Sequence, residues 1–188
     1  MFQMWQMWSG HLTDQDVQSI IDESETYPSQ DAYVGSEKNS KVDIANSDIR
    51  RSTISWVNSS RIGSMVWDYA VQANRRAFGF DISCVGDIQY TKYSSDNIGK
   101  YNWHHDTFWA DPTPYQRKLS MVIQLSDPSE YEGGEFEYDP QYILPDKDDL
   151  KKKGTVFVFP SYIPHRVTEV TKGERKSLVS WIEGPRFR

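Results

Sequence analysis

From residue 82 onward the chain breaks into short β-forming runs separated by glycine and proline, and this punctuation constrains its fold more than any other feature. The runs are Asp87–Tyr93, Lys118–Leu125, Gly134–Tyr138, Thr155–Phe159, His165–Val170 and Ser177–Ile182. Gly133-Gly134, Gly154, Pro160 and Lys172-Gly173 fall between or beside them. Leu119, Met121, Ile123 and Leu125 alternate with Ser120, Val122 and Gln124, the period-two pattern of a strand. Many short strands at this spacing predict a sandwich or barrel.

The first 81 residues read differently. Thr13 is placed to cap a helix, Asp14 and Asp16 suit its positive start, and Leu12 can staple to Val17. Val17, Ile20 and Ile21 form its apolar stripe, which ends near Tyr27-Pro28. Residues 29–48 are polar and irregular and read as a long loop, a candidate lid. Ser52–Val57 reads as a strand. Ile62, Met65, Val66, Tyr69, Ala70, Ala73 and Ala77 then keep helical spacing up to Gly79. The expected class is α+β, mainly β, as one domain over 1–188, with a helical support and lid region at 1–81 and a strand-built core at 82–183.

Composition narrows the function. Aromatic residues are 14% of the 188, enough apolar area to argue against disorder. A net charge of -6 disfavours non-specific binding to nucleic acid or to an anionic membrane. Cys84 stands alone, so neither an internal disulfide nor a cysteine-rich zinc site can form. No run approaches the ~20 apolar residues of a membrane span, and the aromatic start Met1–Trp8 lacks the basic and apolar regions of a signal peptide. A soluble, cytoplasmic protein with no membrane or nucleic-acid partner is expected.

The four histidines are His11, His104, His105 and His165. In Trp103-His104-His105-Asp106, His104 and Asp106 are two apart, so on a strand end both point to one face and both can reach one ion. His165 opens a later run, in Pro164-His165-Arg166-Val167. Two imidazoles and one carboxylate form the facial triad of non-haem Fe(II) oxygenases, which leaves coordination positions open. Alone, His-x-Asp is an ordinary turn pairing. Arg175, ten residues after His165, adds a guanidinium that a hairpin at Lys172-Gly173 can bring beside the cavity, there to clamp a dicarboxylate. In an exposed turn it is simply a solvated charge.

Five ordered segments resemble one family, the 2-oxoglutarate- and Fe(II)-dependent dioxygenases, in their prolyl hydroxylase (prolyl 4-hydroxylase and PKHD-type) branch. They are His104-His105-Asp106, Leu125 through Gly133-Gly134-Glu135-Phe136, Phe157-Val158-Phe159-Pro160-Ser161, His165 through Arg175, and Ser177 through Ile182. With Arg50-Arg51-Ser52 before the early strand, the likeness spans about residues 49–183. The resemblance implies a double-stranded β-helix, or jelly roll. It implies His104, Asp106 and His165 as iron ligands and Arg175 as partner of the distal carboxylate of 2-oxoglutarate. Tyr93 resembles a family tyrosine that bonds the cosubstrate, with Tyr90 as the competing choice. His105 fills the variable position and is expected to point away from the ligands.

The implied cofactors are Fe(II), 2-oxoglutarate as cosubstrate, and ascorbate. The implied partners are dioxygen and a proline-containing peptide or protein, with release of succinate and CO2. Arg117 matches an arginine near the peptide groove of that branch. Tyr101, Trp103 and Trp181 are the other candidate substrate contacts, and Phe108 and Trp109 cluster with them. Aromatics suit a proline ring, but at least half of the cluster Tyr101, Trp103, Phe108 and Trp109 is expected to fill core. Three other readings stay open: an oxygenase of a free amino acid or nucleobase, a jelly-roll module that holds metal without turnover, and a zinc hydrolase. The intact triad with Arg175 disfavours the second, and the absence of His-Glu-x-x-His disfavours the third.

Overall fold

The computed structural model describes residues 4–32, 49–110 and 112–187. The strands are β1 (Gln6–Trp8), β2 (Ser29–Asp31), β3 (Arg50–Arg51), β4 (Thr53–Trp56), β5 (Cys84–Ser94), β6 (Lys100–His104), β7 (Tyr115–Gln124), β8 (Tyr131–Gly133), β9 (Phe136–Tyr138), β10 (Val156–Pro160), β11 (His165–Val167) and β12 (Val170–Pro185). The helices are α1 (Asp14–Ser24), α2 (Ser60–Ala73) and α3 (Lys147–Lys151). The major sheet runs β1-β10-β7-β12-β5-β4-β2, with β8 added to β12, and the minor sheet runs β3-β6-β11-β9. All neighbours in both are antiparallel. The mainly-β expectation holds, and the two sheets make the jelly roll.

Helix α1 starts as its sequence directs. The Thr13 hydroxyl accepts from the Asp16 N–H, and the Asp16 carboxylate accepts from the Thr13 N–H, a capping box that stabilises by about 1 kcal/mol. Val17, Ile20 and Ile21 of α1 pack with Ile62, Val66, Tyr69, Ala70 and Ala73 of α2 against one face of the major sheet. Leu119, Met121, Ile123 and Leu178 meet them from the sheet. Helix α2 passes into a π-helical turn, Asn74–Phe78, and stops at Gly79, whose φ of 65° is the left-handed cap that glycine adopts without strain.

Two expectations need correction. The segment before residue 82 contributes four strands, not one, because β1, β2 and β3 are too short to carry a legible alternation. Lys172-Gly173 is no hairpin turn. The chain breaks at Thr168-Glu169, and β12 then runs unbroken through Gly173, pairing first with β8 and afterwards with β5 and β7. Gly173 sits in that change of partners with φ 69°, where a Cβ would lie 2.0 Å from the Glu130 carbonyl oxygen. On β7 the alternation separates two buried faces: Ser120 and Gln124 are as buried as their apolar neighbours. Most of the proposed lid, residues 33–48, lies outside the described residues.

Candidate metal centre

His104 ends β6 and His165 opens β11, and the two are cross-strand partners. Asp106 follows β6 in a short turn whose N–H donates to the Ser161 carbonyl at 2.7 Å. This joins the His-x-Asp segment to the turn that delivers His165. One ligand atom from each of the three side chains lies within 4.8 Å of the others. His104 Nε2 is 3.6 Å from Asp106 Oδ1, and His165 Nε2 is 3.6 Å from Asp106 Oδ2.

The hydrogen bonds select the tautomers. His104 Nδ1 lies 2.8 Å from the Asn102 carbonyl oxygen and His165 Nδ1 lies 2.9 Å from that of Ile163. A carbonyl only accepts, so each Nδ1 carries the proton and each Nε2 turns a bare lone pair toward Asp106. Two imidazole lone pairs and a carboxylate turned toward one another are a divalent-cation donor set, and these donor types in this cluster fit a metal. The Ser120 hydroxyl donates to Asp106 Oδ2 at 2.6 Å and itself meets the Ser161 hydroxyl at 3.0 Å.

Electrostatics agree with that role. Burial, helped by His165 alongside, pushes the His104 pKa down to about 3, so the ring is neutral at pH 7. Burial pushes the Asp106 carboxyl up, but His165, His104 and the Ser120 hydroxyl outweigh it and hold the group below the usual carboxylate value. The Trp181 indole N–H adds to this from beside Asp106 without closing a hydrogen bond. Ring packing fixes both imidazoles. His104 stacks on Tyr101 at 3.5 Å between centroids, and His165 packs between Phe136 and Phe159.

Arg175 lies on the inner face of β12, 3% exposed, and pairs across the sheet with Tyr93. Among the described residues no carboxylate lies within ion-pairing distance of its guanidinium. A buried cation with no counter-ion is costly, so this position fits an anionic ligand. Tyr93 and Tyr90 separate by strand parity. Tyr93 joins Tyr131, Val167 and Val170 inside the jelly roll, whereas Tyr90 turns to the helix layer and donates to Glu25 at 3.0 Å.

The remaining candidates scatter. Arg117 stacks over the Trp181 ring at 3.8 Å, lies 5.2 Å from the Phe108 centroid and reaches Asp87 at 3.5 Å. Tyr101 is half-buried against His104, with Arg50 at 4.6 Å from its ring, and burial pushes its hydroxyl up to about 12. Trp103 stacks instead with Arg166, whose strand neighbours His165 and Val167 point inward, so it lies on the outer face of the minor sheet. His105 is exposed. Trp103, Phe108 and Trp109 are about half exposed, which corrects the expectation that at least half of their cluster fills core. Sequence reasoning missed Ser120, Ser161 and Gln124: Ser120 and Gln124 lie on the face of β7 opposite its apolar stripe, Ser161 lies in the turn after β10, and no motif marks any of them.

A jelly roll that brings two histidines, one aspartate and an unpaired arginine to its inside defines a class of mononuclear metal enzyme. The family model described as the 2OG-Fe(II) oxygenase superfamily matches residues 88–183, and the chain belongs to that superfamily. Membership and triad together imply Fe(II) and 2-oxoglutarate. A PKHD-type hydroxylase of Prochlorococcus marinus is 33% identical over 99 residues, which cover 53% of this chain and 42% of that protein. The match therefore spans about two fifths of that relative's length. A Pseudomonas putida prolyl-4-hydroxylase shares the fold with a TM-score of 0.70 at 18% identity, over 98% of this chain and 94% of that one. So does a Trichoplax adhaerens prolyl hydroxylase in complex with a hypoxia inducible factor peptide fragment, at TM-score 0.71 and 16% identity, over 96% and 83%. No helix among the described residues is long and apolar enough to cross a membrane.

Proposed function

We propose that this chain hydroxylates a C–H bond of a prolyl residue in a peptide or protein, using Fe(II), 2-oxoglutarate and dioxygen. The observation that carries the reading is the pairing of a two-histidine, one-carboxylate donor set with a buried, unpaired Arg175 in the same fold. Ferrous iron and 2-oxoglutarate, when bound, supply the oxidising power that converts C–H to C–OH while the cosubstrate leaves as succinate and CO2.

The chain's own residues orient and shield. His104, Asp106 and His165 would hold the iron, and a three-donor protein set of this kind would let the cosubstrate and dioxygen bind it as well. Ser120 holds the Asp106 carboxylate in place, and the Asn102 and Ile163 carbonyls keep both Nε2 atoms deprotonated. Arg175 pairs with the distal carboxylate, with Tyr93 beside it. Trp181, Arg117 and Phe108 form the wall on which a proline ring can lie, and Tyr101 keeps the His104 ring in place. Residues 82–183 carry the chemistry and the earlier segment supports them. The peptide assignment draws on the likeness to PKHD-type and prolyl hydroxylases.

Anaerobic addition of Fe(II) and 2-oxoglutarate, followed by a visible metal-to-ligand charge-transfer band, tests the centre. A gain of one oxygen on a proline-containing peptide, coupled to succinate release, tests the substrate. Succinate release with a free amino acid or nucleobase and none with peptides would overturn the peptide assignment.

A further inference from the structure

Between Arg175 and the surface helix α3 lies a small cavity. Lys147 and Lys151 lie one turn apart on α3, and both pair with Glu135, at 3.3 and 2.8 Å. The cavity beneath them is about 10 Å³, room for about one water molecule. Its lining runs from Lys147, Leu150 and Lys151 at the surface, past Gly134, to Gln124, Tyr131 and Arg175 inside.

The cationic lining and one free donor at its floor point to an anionic ligand, while Gln124 Oε1, an unpaired acceptor, suits a water there. The Gln124 side chain is 2% exposed, and its Oε1 has no hydrogen-bond partner although Nε2 donates to the Ser126 carbonyl and the Tyr131 hydroxyl. The Tyr131 hydroxyl is thereby an acceptor with its own proton left to give. The lining also holds three cations, Arg175, Lys147 and Lys151, against one carboxylate, Glu135. A cationic shaft with a free hydroxyl donor at its floor suits a small dianion. The outer ion pairs are partly exposed, and pairs of that kind open easily.

We infer that the Glu135 pairs with Lys147 and Lys151 form a latch over a back entrance. Through it small dicarboxylates reach and leave Arg175, separately from the mouth walled by Phe108, Arg117 and Trp181. The inference rests on the reading that Arg175 receives the cosubstrate carboxylate. A separate route lets 2-oxoglutarate enter and succinate leave while a peptide covers the mouth. Gly134 keeps the shaft open: a Cβ there would lie 3.2 Å from Arg175 Cδ and 2.8 Å from Val170 Cγ2.

The test is stopped-flow mixing of the Fe(II)-loaded chain with 2-oxoglutarate under anaerobic conditions. The slope of observed rate against concentration gives association and the intercept gives dissociation. Glu135→Gln is expected to raise both rates by a common factor of ~3 to 30, the opening of two weak ion pairs, with the dissociation constant within about twofold of wild type. Lys147→Gln, at an exposed position, is expected to raise both rates by a smaller common factor. Leu150→Trp, which fills the shaft, is expected to lower both. Rates equal to wild type in all three variants, or a change in only one of the two rates, would overturn the latch. Absence of the charge-transfer band in the wild-type chain would overturn the Fe(II) and 2-oxoglutarate reading itself.

Discussion

Arg175 and Tyr93 face each other across β12 and β5, with the guanidinium carbon 5.8 Å from the tyrosine ring centroid. The pair sits on the inner face of the major sheet, and the cation has no protein counter-ion among the described residues. Arg175→Ala is expected to weaken 2-oxoglutarate at least ~30-fold, about 2 kcal/mol for a charge-assisted pair, while leaving Fe(II) affinity within a few-fold. Titration of the cosubstrate into the anaerobic Fe(II) form measures both. An unchanged 2-oxoglutarate affinity would remove Arg175 from the site.

Ser120 donates to Asp106 Oδ2 from inside the sandwich, at 2.6 Å. Ser120→Ala keeps the Cβ and removes only that donor, so the strand still packs. The expected result is a 10- to 100-fold loss of metal affinity, as for other partners that orient a metal ligand, with the fold intact. Competition against a chelator of known strength reads the affinity, and circular dichroism reads the fold. Full affinity in the variant would show that Asp106 is held by the Ser161 turn alone.

The sites that sequence reasoning reached and missed differ in a physical way. His104 and Asp106 are legible because a two-residue spacing on a strand end is covalent geometry. The α1 cap is legible because Thr13 and Asp16 act within one turn. Ser120 was not, because alternation reports that two faces differ but not what covers each. Here one face meets helices and the other meets the inside of the sandwich, where Ser120 reaches Asp106 and Gln124 lines a cavity. Gly173 misled for a related reason. A glycine in a Lys-Gly pair reads as a turn, and its positive φ instead lets β12 pass the Glu130 carbonyl while changing partners.

That passage gives a stability test. Gly173→Ala places a Cβ 2.0 Å from a backbone oxygen at a φ of 69°, so backbone must move rather than a flexible side chain. The expected cost is ~3 kcal/mol or more, from strain added to a broken β8–β12 pairing. A control at Gly79, with φ 65° but open space around it, is expected to cost only ~1 kcal/mol. Equal effects in urea unfolding would place the strain in φ rather than in the close approach.

The buried His104 ties stability to pH in the metal-free protein. Its pKa is about 3 folded, against an ordinary value of 6.5, so between these values the unfolded chain binds more protons. Stability therefore rises with pH across this window and is fully present above pH 6.5. On acidification it falls by up to ~1.4 kcal/mol per pH unit. Asp106 acts in the same direction, but only below the ordinary carboxylate value of 3.8. Urea unfolding in chelator at pH 7, 6 and 5 measures the slope, and His104→Gln is expected to flatten it. The same slope in the variant would assign the dependence to other groups.

The exposed aromatics provide the test of the substrate side. Phe108 and Trp109 are about half exposed, and Arg117 lies over both Phe108 and Trp181, so the wall beside Asp106 is apolar, cationic and open. Residues that fill a core lose stability on truncation, whereas residues that wall a mouth lose binding. Phe108→Ala is expected to change unfolding free energy by less than ~1 kcal/mol. It is also expected to raise KM for a proline-containing peptide about 10-fold, with 2-oxoglutarate affinity unchanged, because the lost contact is to the peptide. A large loss of stability with an unchanged KM would make Phe108 a packing residue and move the peptide path to another side of the metal centre.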